Sequence, residues 1–404
     1  MQIVAPGPAY DIVVIGGGLV GATFACAARH EGYSILVVEA SPLADNDNQQ
    51  PSFDDRSTAL SFGSSRILDG IGLWNALKAN VTPITRIRIS DRGHLGSVDL
   101  ANEEQGVEAL GYVAENRAMG KVLTNELQSC PAIEFLCPAR LAGLHPTATG
   151  MHIELQAQQE KYEVDTRLVV LAEGGRSRAC EWLGIDQQIT HYEQSALVAN
   201  VSFEHAHGGT AYERFTRHGP LAILPLPAFE GLQRGALVWT LPRGESEHYS
   251  NLGTEELLGR LQQRFGSELG RFTGIGARHV YPLSLSEARE QARPGLVLLG
   301  NVAHTLHPVA GQGLNLSLRD VASLVSSLAA ARQQGLEPGD MKVLAAYLDE
   351  RSRDQQQTMF ATDALIKLFS SDSHMRVATR KLGLLALDLV PSARKQFSRQ
   401  AMGL

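Results

Sequence analysis

Two nearly unbroken apolar runs lie close to the amino end of the chain. Tyr10-Asp11-Ile12-Val13-Val14-Ile15 is rich in β-branched residues, which predicts a strand buried on both faces. Three glycines, Gly16 to Gly18, separate it from an alanine-rich stretch, Leu19 to His30, that reads as a helix. Ser34-Ile35-Leu36-Val37-Val38-Glu39 is a second buried-strand pattern. Strand, turn, helix and strand in that order form a βαβ unit, which implies a parallel sheet with a right-handed crossover.

Further along, Asp45 to Asp55 is polar and predicts a surface loop, while Ser64 to Leu73 and Ala118 to Gln128 read as helices. Ile84 to Ser90 alternates, as a strand with one exposed face does. Leu168 to Leu171 and Leu296 to Leu299 return to the buried-strand type. From about Ile189 to Leu283 the texture changes to short runs punctuated by Gly and Pro: His191 to Phe203, Thr210 to Arg217, Leu221 to Pro225 and Gly235 to Leu241. That pattern predicts an antiparallel sheet interrupted by one helix, Thr254 to Phe265. Helices are predicted over Gly313 to Ala331, Met341 to Leu368 and Arg376 to Leu389. No internal repeat is visible, so a solenoid is not expected.

Composition narrows the classes. At 404 residues the chain is long enough for two or three domains of about 150 residues, or one composite unit. Its 44% hydrophobic and 20% charged content excludes disorder and collagen. Lys plus Arg at 36 against Asp plus Glu at 43 gives a net charge of −7, the wrong sign for a general nucleic-acid binder. No apolar stretch reaches the roughly 18 residues of a spanning helix, and Met1 to Asp11 lacks the basic start of a secretory signal. Cys26, Cys130, Cys137 and Cys180 share no CxxC spacing, so reduced thiols are expected rather than a zinc site or disulfide framework.

Candidate chemistry begins at Gly16-x-Gly18-x-x-Gly21, placed between a predicted strand and a predicted helix. The first glycine permits the turn, the second lets backbone approach a pyrophosphate, and the third lets helix and strand pack closely. The helix N-terminus adds free N–H groups and a partial positive charge. Glu39 ends the next strand, where a carboxylate can accept from ribose hydroxyls. A dinucleotide is therefore expected, although this motif alone does not separate FAD from NAD. Gly311-Gln312-Gly313, before another helix, would present N–H groups and a dipole to a second negative group.

Two distant segments add to this. Leu171-Ala172-Glu173-Gly174-Gly175-Arg176-Ser177-Arg178 and Gly300-Asn301-Val302-Ala303-His304-Thr305-Leu306-His307-Pro308-Val309-Ala310-Gly311-Gln312-Gly313-Leu314-Asn315 each follow a buried strand. With the glycine motif they resemble the three fingerprints of the group A flavoprotein aromatic monooxygenases, over essentially the whole chain. Thr305 to Pro308, Asp55 to Ser61, Ala211 to Thr216 and Phe397 to Leu404 are similar to one branch, the polyprenyl-methoxyphenol hydroxylases of ubiquinone biosynthesis. The family pattern carries Asp where this chain has Glu173 and Asn301. Asn301 keeps a carbonyl acceptor but loses a charge, and the longer Glu173 side chain leaves its direct role open beside that of a solvated loop carboxylate.

The resemblance implies an α/β fold: a Rossmann-like FAD-binding domain (1–75, 103–181 and 282–340), an interleaved antiparallel-sheet substrate domain (76–102 and 182–281), and a C-terminal helical region (341–404). It implies FAD as cofactor and NAD(P)H as a transient reductant, with O2 activated as a flavin C4a-hydroperoxide that hydroxylates an apolar prenylated phenol. Cofactor contacts would fall to Gly16, Gly18, Gly21, Glu39, Arg56, Arg117, Asn301, Gly311, Gln312, Gly313 and Asn315. His307, Pro308 and Arg56 would face the reaction centre, Pro308 as a rigid wall. A metal role for His304 and His307 is rejected because no third ligand accompanies them; His304 reads as structural. Trp239, Tyr192, Tyr212 and Phe215 read as sheet core or pocket lining. Leu382, Leu385 and Leu389, followed by Arg394 and Lys395, share a helical face that either packs internally or meets a membrane or partner. The expected location is cytoplasmic, with peripheral contact at the inner membrane and with other ubiquinone-biosynthesis proteins left open. A hydroxylase of another aromatic and a non-catalytic FAD-stabilised subunit remain the alternatives; the WxWxIP signature of halogenases is absent, since the chain reads Trp239-Thr240-Leu241-Pro242.

Overall fold

In the computed structural model the strand Ala9–Ile15 lies at the centre of an eight-stranded sheet, parallel to its two neighbours. The structure describes residues 7, 9–42, 56–91, 97–175, 177–216, 219–306, 311–369 and 391–404. The helix Leu19–Ala28 crosses back to the strand Ile35–Val38, completing the expected βαβ unit. Ile12, Val13 and Val14 have no exposed surface, because both faces of the strand are covered. Ile12 and Val14 pack under the helices Leu19–Ala28, Asn116–Ser129 and Gln312–Gln333. Val13 and Ile15 instead meet an antiparallel meander formed by Arg140–Pro146, Met151–Ala157 and the first half of Glu160–Leu171.

The second half of Glu160–Leu171 runs parallel to Ala9–Ile15 on one side and to Leu296–Leu298 on the other. Segments more than a hundred residues apart in sequence thus end side by side at one sheet edge, where ligands bind in open α/β folds.

A second, nine-stranded sheet is built mainly from Gln187–Phe203, Thr210–Thr216, Gly219–Phe229, Leu232–Pro242 and His279–Ala288. Arg86–Asp91 and Ser97–Ala101 extend one edge. Leu197, Phe203, Leu221, Leu237 and Trp239 turn one face toward two helices, Arg243–Asn251 and Thr254–Phe265. Only the second of these was expected. The first carries few apolar residues, so its sequence shows little helical periodicity. The alternating stretch at Ile84 also divides, with Val81–Ile84 and Arg86–Asp91 joining different sheets.

A three-stranded sheet, Ser57–Ser61, Gly111–Glu115 and Val81–Ile84, bridges the two large sheets. Its Ala59, Ile84 and Val113 pack against Ala211, Leu226 and Ala236, on the face of the antiparallel sheet that the helices leave uncovered. The helix Met341–Phe369 packs on Gln312–Gln333 through Leu344 and Tyr347. The terminal helix Pro391–Ala401 is anchored by Met402, whose carbonyl accepts from the Gly63 amide at 2.7 Å. The predicted helix over Arg376 to Leu389 lies outside the described residues. Among the described residues no helix is long and apolar enough to cross a membrane.

Trp239 is 1% exposed and stands edge-on to Tyr249 at 5.2 Å. Trp239→Ala should cost about 3–5 kcal/mol through the cavity it leaves, measured by denaturant unfolding, whereas Trp239→Phe should cost clearly less.

Candidate functional site

The glycine motif works here through close approach. Gly16 has φ +106°, and a Cβ on it would lie 2.6 Å from the Ala172 carbonyl oxygen. A Cβ on Gly21 would lie 1.9 Å from the Gly16 carbonyl oxygen and 3.2 Å from the Ala172 side chain. No larger residue fits at Gly21 without moving the helix away from the strand. Gly18 is the N-cap of Leu19–Ala28 and supplies no side-chain cap, so the first helical N–H groups remain available to an anion.

Glu39 is 7% exposed and braces this loop. Its Oε2 accepts from the Gly17 amide at 2.7 Å and its Oε1 from the Ser41 amide at 2.7 Å. A carboxylate has about four acceptor positions, so two protein bonds leave capacity for ribose hydroxyls.

Ala172 belongs to the second motif, so that motif meets the first directly. Glu173 is half-buried, and its carboxylate accepts a short hydrogen bond from the Ser177 hydroxyl. Ser177 in turn caps the helix Arg178–Trp182 by accepting from the Cys180 amide at 3.1 Å. Glu173 therefore fixes the turn that leaves the sheet. The third motif starts at Gly300 (φ +75°), packed 3.2 Å from the Val20 side chain when given a Cβ. Asn301 is exposed, and its carbonyl accepts from Thr305 at 2.9 Å.

The helix Gln312–Gln333 begins at Gly311, whose φ of +60° is left-handed and whose added Cβ would press to 3.1 Å from that of Ala59. Asn315, 2% exposed, fastens this turn to the strand Ser57–Ser61. Its Nδ2 donates to the carbonyls of Ala59 (2.8 Å) and Gly311 (2.7 Å), while its Oδ1 accepts from the Ser61 amide (2.8 Å). The amide's capacity is largely spent on protein, which makes Asn315 a clamp for the loop. Gly313 has open space where a side chain would stand.

Arg56 leads into the clamped strand. Its carbonyl accepts from the Asn116 amide (2.8 Å), and its guanidinium lies 4.9 Å from the centre of the Tyr281 ring. Arg117 is the next residue of the helix Asn116–Ser129, so the two arginines start adjacent elements. His307 and Pro308 lie outside the described residues.

The sequence profile described as an FAD binding domain matches residues 9–362. Ubiquinone hydroxylase UbiL of Rhodospirillum rubrum is 38% identical over 400 residues, covering 97% of this chain and 89% of that one. The 3-demethoxyubiquinol 3-hydroxylase of Escherichia coli is 30% identical over 396 residues, covering 98% of each. The chain belongs to the FAD-binding family of flavoprotein monooxygenases. Its fold matches that of p-nitrophenol 4-monooxygenase PnpA from Pseudomonas putida with a TM-score of 0.78, at 19% identity, covering 98% and 99% of the two chains. The resemblance read from the three motifs and the fold it implied are both borne out.

The donor set suits FAD. The cradle at Gly16 and Gly21 admits backbone but no side chain, Glu39 retains acceptor positions, and Gly311 and Gly313 leave the second helix start open. Ser57 Oγ is buried with no hydrogen-bond partner among the described residues, beside the clamped strand. Such an orphaned hydroxyl is a feature a bound cofactor satisfies.

His304 is 1% exposed, and its Nε2 lies 2.6 Å from Asp320 Oδ2. Asp320, with no exposed surface, also accepts from Arg351 Nε (2.7 Å) and Gln355 (3.1 Å). Burial pushes the Asp320 carboxyl upward, but the hydrogen bond from His304 and the charge of Arg351 outweigh it and hold it below the usual range. Arg351 continues to Asp354, which Arg319 also contacts at 2.7 Å. This network ties the third motif to the helix Met341–Phe369. No group of metal-ligating side chains occurs among the described residues.

Asp320 and Arg351 were missed by sequence reasoning. A signal existed, because Leu316, Asp320 and Leu324 follow an i, i+4, i+8 stripe whose other members are apolar. Glu213 was also missed, between Ala211 and Phe215 on an inward-facing alternation. Of the aromatic candidates, Trp239 and Phe215 are core, Tyr212 packs edge-on to Phe265, and the Tyr192 hydroxyl donates to Asp363 at 3.0 Å.

Gly21→Ala should lower FAD affinity at least about tenfold, by displacing the helix start whose open N–H groups would meet the phosphates; fluorescence titration of the apoprotein measures this. The exposed helical Gly259→Ala, with nothing near its added methyl, should leave affinity unchanged and stability about 0.5–1 kcal/mol higher. Asp320→Ala should cost about 3–5 kcal/mol because it strands buried Arg351. Since the folded Asp320 value is depressed, its stabilisation is complete above the unfolded value and lost as pH falls through the folded one. The wild type should therefore lose its advantage over the variant below about pH 4, read by denaturant melts across pH.

Proposed function

We propose that this protein is an FAD-dependent hydroxylase of a prenylated phenol in ubiquinone biosynthesis, with O2 as co-substrate and NAD(P)H as reductant. The observation that carries the reading is the meeting of the Gly311 loop, through Ala59, with the uncovered face of the antiparallel sheet. Beside Ala211, Leu226 and Ala236, which the three-stranded sheet covers, the same face presents the partly exposed Ala222, Leu224 and Val238, apolar as a prenylated ring requires. The relatives named for hydroxylation of ubiquinone and of a demethoxyubiquinol support the substrate class.

When bound, FAD supplies the oxygen activation that no side chain can provide. The chain's own groups do the rest. The N–H groups at Gly18 and the helix start of Leu19–Ala28 would hold the pyrophosphate, and Glu39 the ribose. The dipole of Gln312–Gln333 would stabilise negative charge at the ring edge by about 0.3–2 kcal/mol. Arg56 and Arg117, at neighbouring element starts, would supply cationic partners, and Asn301, Gln312 and Asn315 would bind or shape the ring end. His307 and Pro308 would stand beside the reaction centre. The division into FAD-binding segments 1–75, 103–181 and 282–340 around substrate segments 76–102 and 182–281 belongs to the same proposal.

Mass spectrometry of lipid extracts from cells with and without the gene tests this. Loss of the protein should deplete ubiquinone and accumulate a prenylated phenol one oxygen short of the next intermediate. Unchanged quinone levels, or purified flavoprotein with no turnover on any prenylated phenol, would contradict it.

A further inference from the structure

Glu213 occupies the middle of the strand Thr210–Thr216. Its neighbours point to the helix-covered face: the Tyr212 ring packs edge-on to Phe265 at 5.4 Å, and the Arg214 guanidinium lies 5.4 Å from the same ring. Strand alternation sends Ala211, Glu213 and Phe215 to the opposite face. There Ala211 joins Ile84, Val113, Leu226 and Ala236, while Phe215 joins Ile89, Leu100 and Leu110. In cross-strand register Glu213 stands between Ile89 and Ala222, with Val238 and Val198 beyond.

The carboxyl is therefore set among apolar side chains, with no hydrogen bond or ion pair to any described residue. An isolated carboxylate in such a place is costly unless something satisfies it. Glu213 nevertheless retains accessible surface deep inside the protein, so it borders a space rather than packed atoms. Burial alone pushes its carboxyl up to about 7. Among the described residues the other titratable groups on this face include Asp91, in register with Phe215, Tyr281 beneath Arg56, His279, in register with Val198, and Arg234, in register with Leu226. None of them contributes to that shift. Ala59, which packs on the Ala211 cluster, also touches the Gly311 turn, so Glu213 looks from the sheet wall toward the side where the flavin helix begins.

We propose that Glu213 is the general base that receives the phenolic hydroxyl of the substrate. The assignment rests on the hydroxylase reading above. The unpartnered carboxylate accepts the phenol O–H hydrogen bond on binding. As a ring carbon takes one oxygen atom of O2, the other leaving as water with the two electrons of NAD(P)H, the phenolic O–H bond breaks and its proton passes to Glu213. When the ring C–H bond then breaks, its proton going to water, Glu213 returns the proton to the phenolic oxygen. A group titrating near neutrality matches that task, and the position where no described residue partners the carboxylate is the place the substrate hydroxyl fills.

The test uses FAD-loaded protein and two probes, 2-prenyl-6-methoxyphenol and its O-methyl ether, which has no proton to give. Wild type should bind the phenol at least about tenfold better than the ether above pH 7, as expected where an acceptor would otherwise lose its partner, and the preference should shrink below pH 7. Glu213→Gln should lower kcat by about 10²–10⁴-fold with a smaller change in KM, remove the acid limb near pH 7, and make the phenol preference independent of pH. Glu213→Asp should recover part of kcat. Glu213→Leu should raise Tm, more at pH 8 than at pH 4, because the buried charge it removes exists only at the higher pH. A Glu213→Gln enzyme with wild-type kcat and pH profile overturns the assignment alone. A wild type that binds neither probe overturns the assignment together with the hydroxylase reading.

Discussion

The closest backbone approach in the cradle is the one the architecture depends on. Gly21 sits so near the Gly16 carbonyl that a single methyl group would overlap it. This contact sets how deeply the helix Leu19–Ala28 sinks onto the sheet and where its open N–H groups point. It also positions Ala172, the first residue after a neighbouring strand. One steric constraint thus aligns two sequence motifs about 150 residues apart. Glu39 completes the arrangement by bonding to the loop from the tip of the next strand.

A second constraint places the reactive end. Asn315 joins the turn at Gly311 to the strand Ser57–Ser61 through three hydrogen bonds, and that strand leans on the antiparallel sheet through Ala59. Loop, strand and sheet wall move together or not at all, because a buried amide that loses such partners costs about 1–3 kcal/mol. The His304–Asp320–Arg351 network holds the same segment from its other side. On the sheet face away from the two helices, Glu213 stands in register between Ile89 and Ala222, a carboxyl among apolar neighbours that stability alone does not explain.

Much of this was readable from local pattern. Unbroken β-branched runs gave the buried strands, and the helix Thr254–Phe265 matched its expected bounds because its apolar positions repeat with helical period. The glycine motifs were readable because each glycine meets a steric demand. What failed was local in another sense. The helix Arg243–Asn251 is too polar to show a periodic stripe, and Thr85 breaks one alternating run into two strands that serve different sheets. Asp320 and Arg351 lie 31 residues apart on different helices, so neither position alone announces the pair. Glu213 differs: its alternation was visible, but its lack of a partner among the described residues is a property of three dimensions.

The central claim is that the paired glycine contact and Glu39 grip the adenosine half of FAD while the Gly311 loop meets the flavin half. Titration of apoprotein with FAD and with FMN, which lacks the AMP moiety, tests it most directly. One FAD per chain should bind, at least about a hundredfold tighter than FMN, a difference of roughly 2.7 kcal/mol. Equal affinity for the two, or no binding of FAD, would contradict the account.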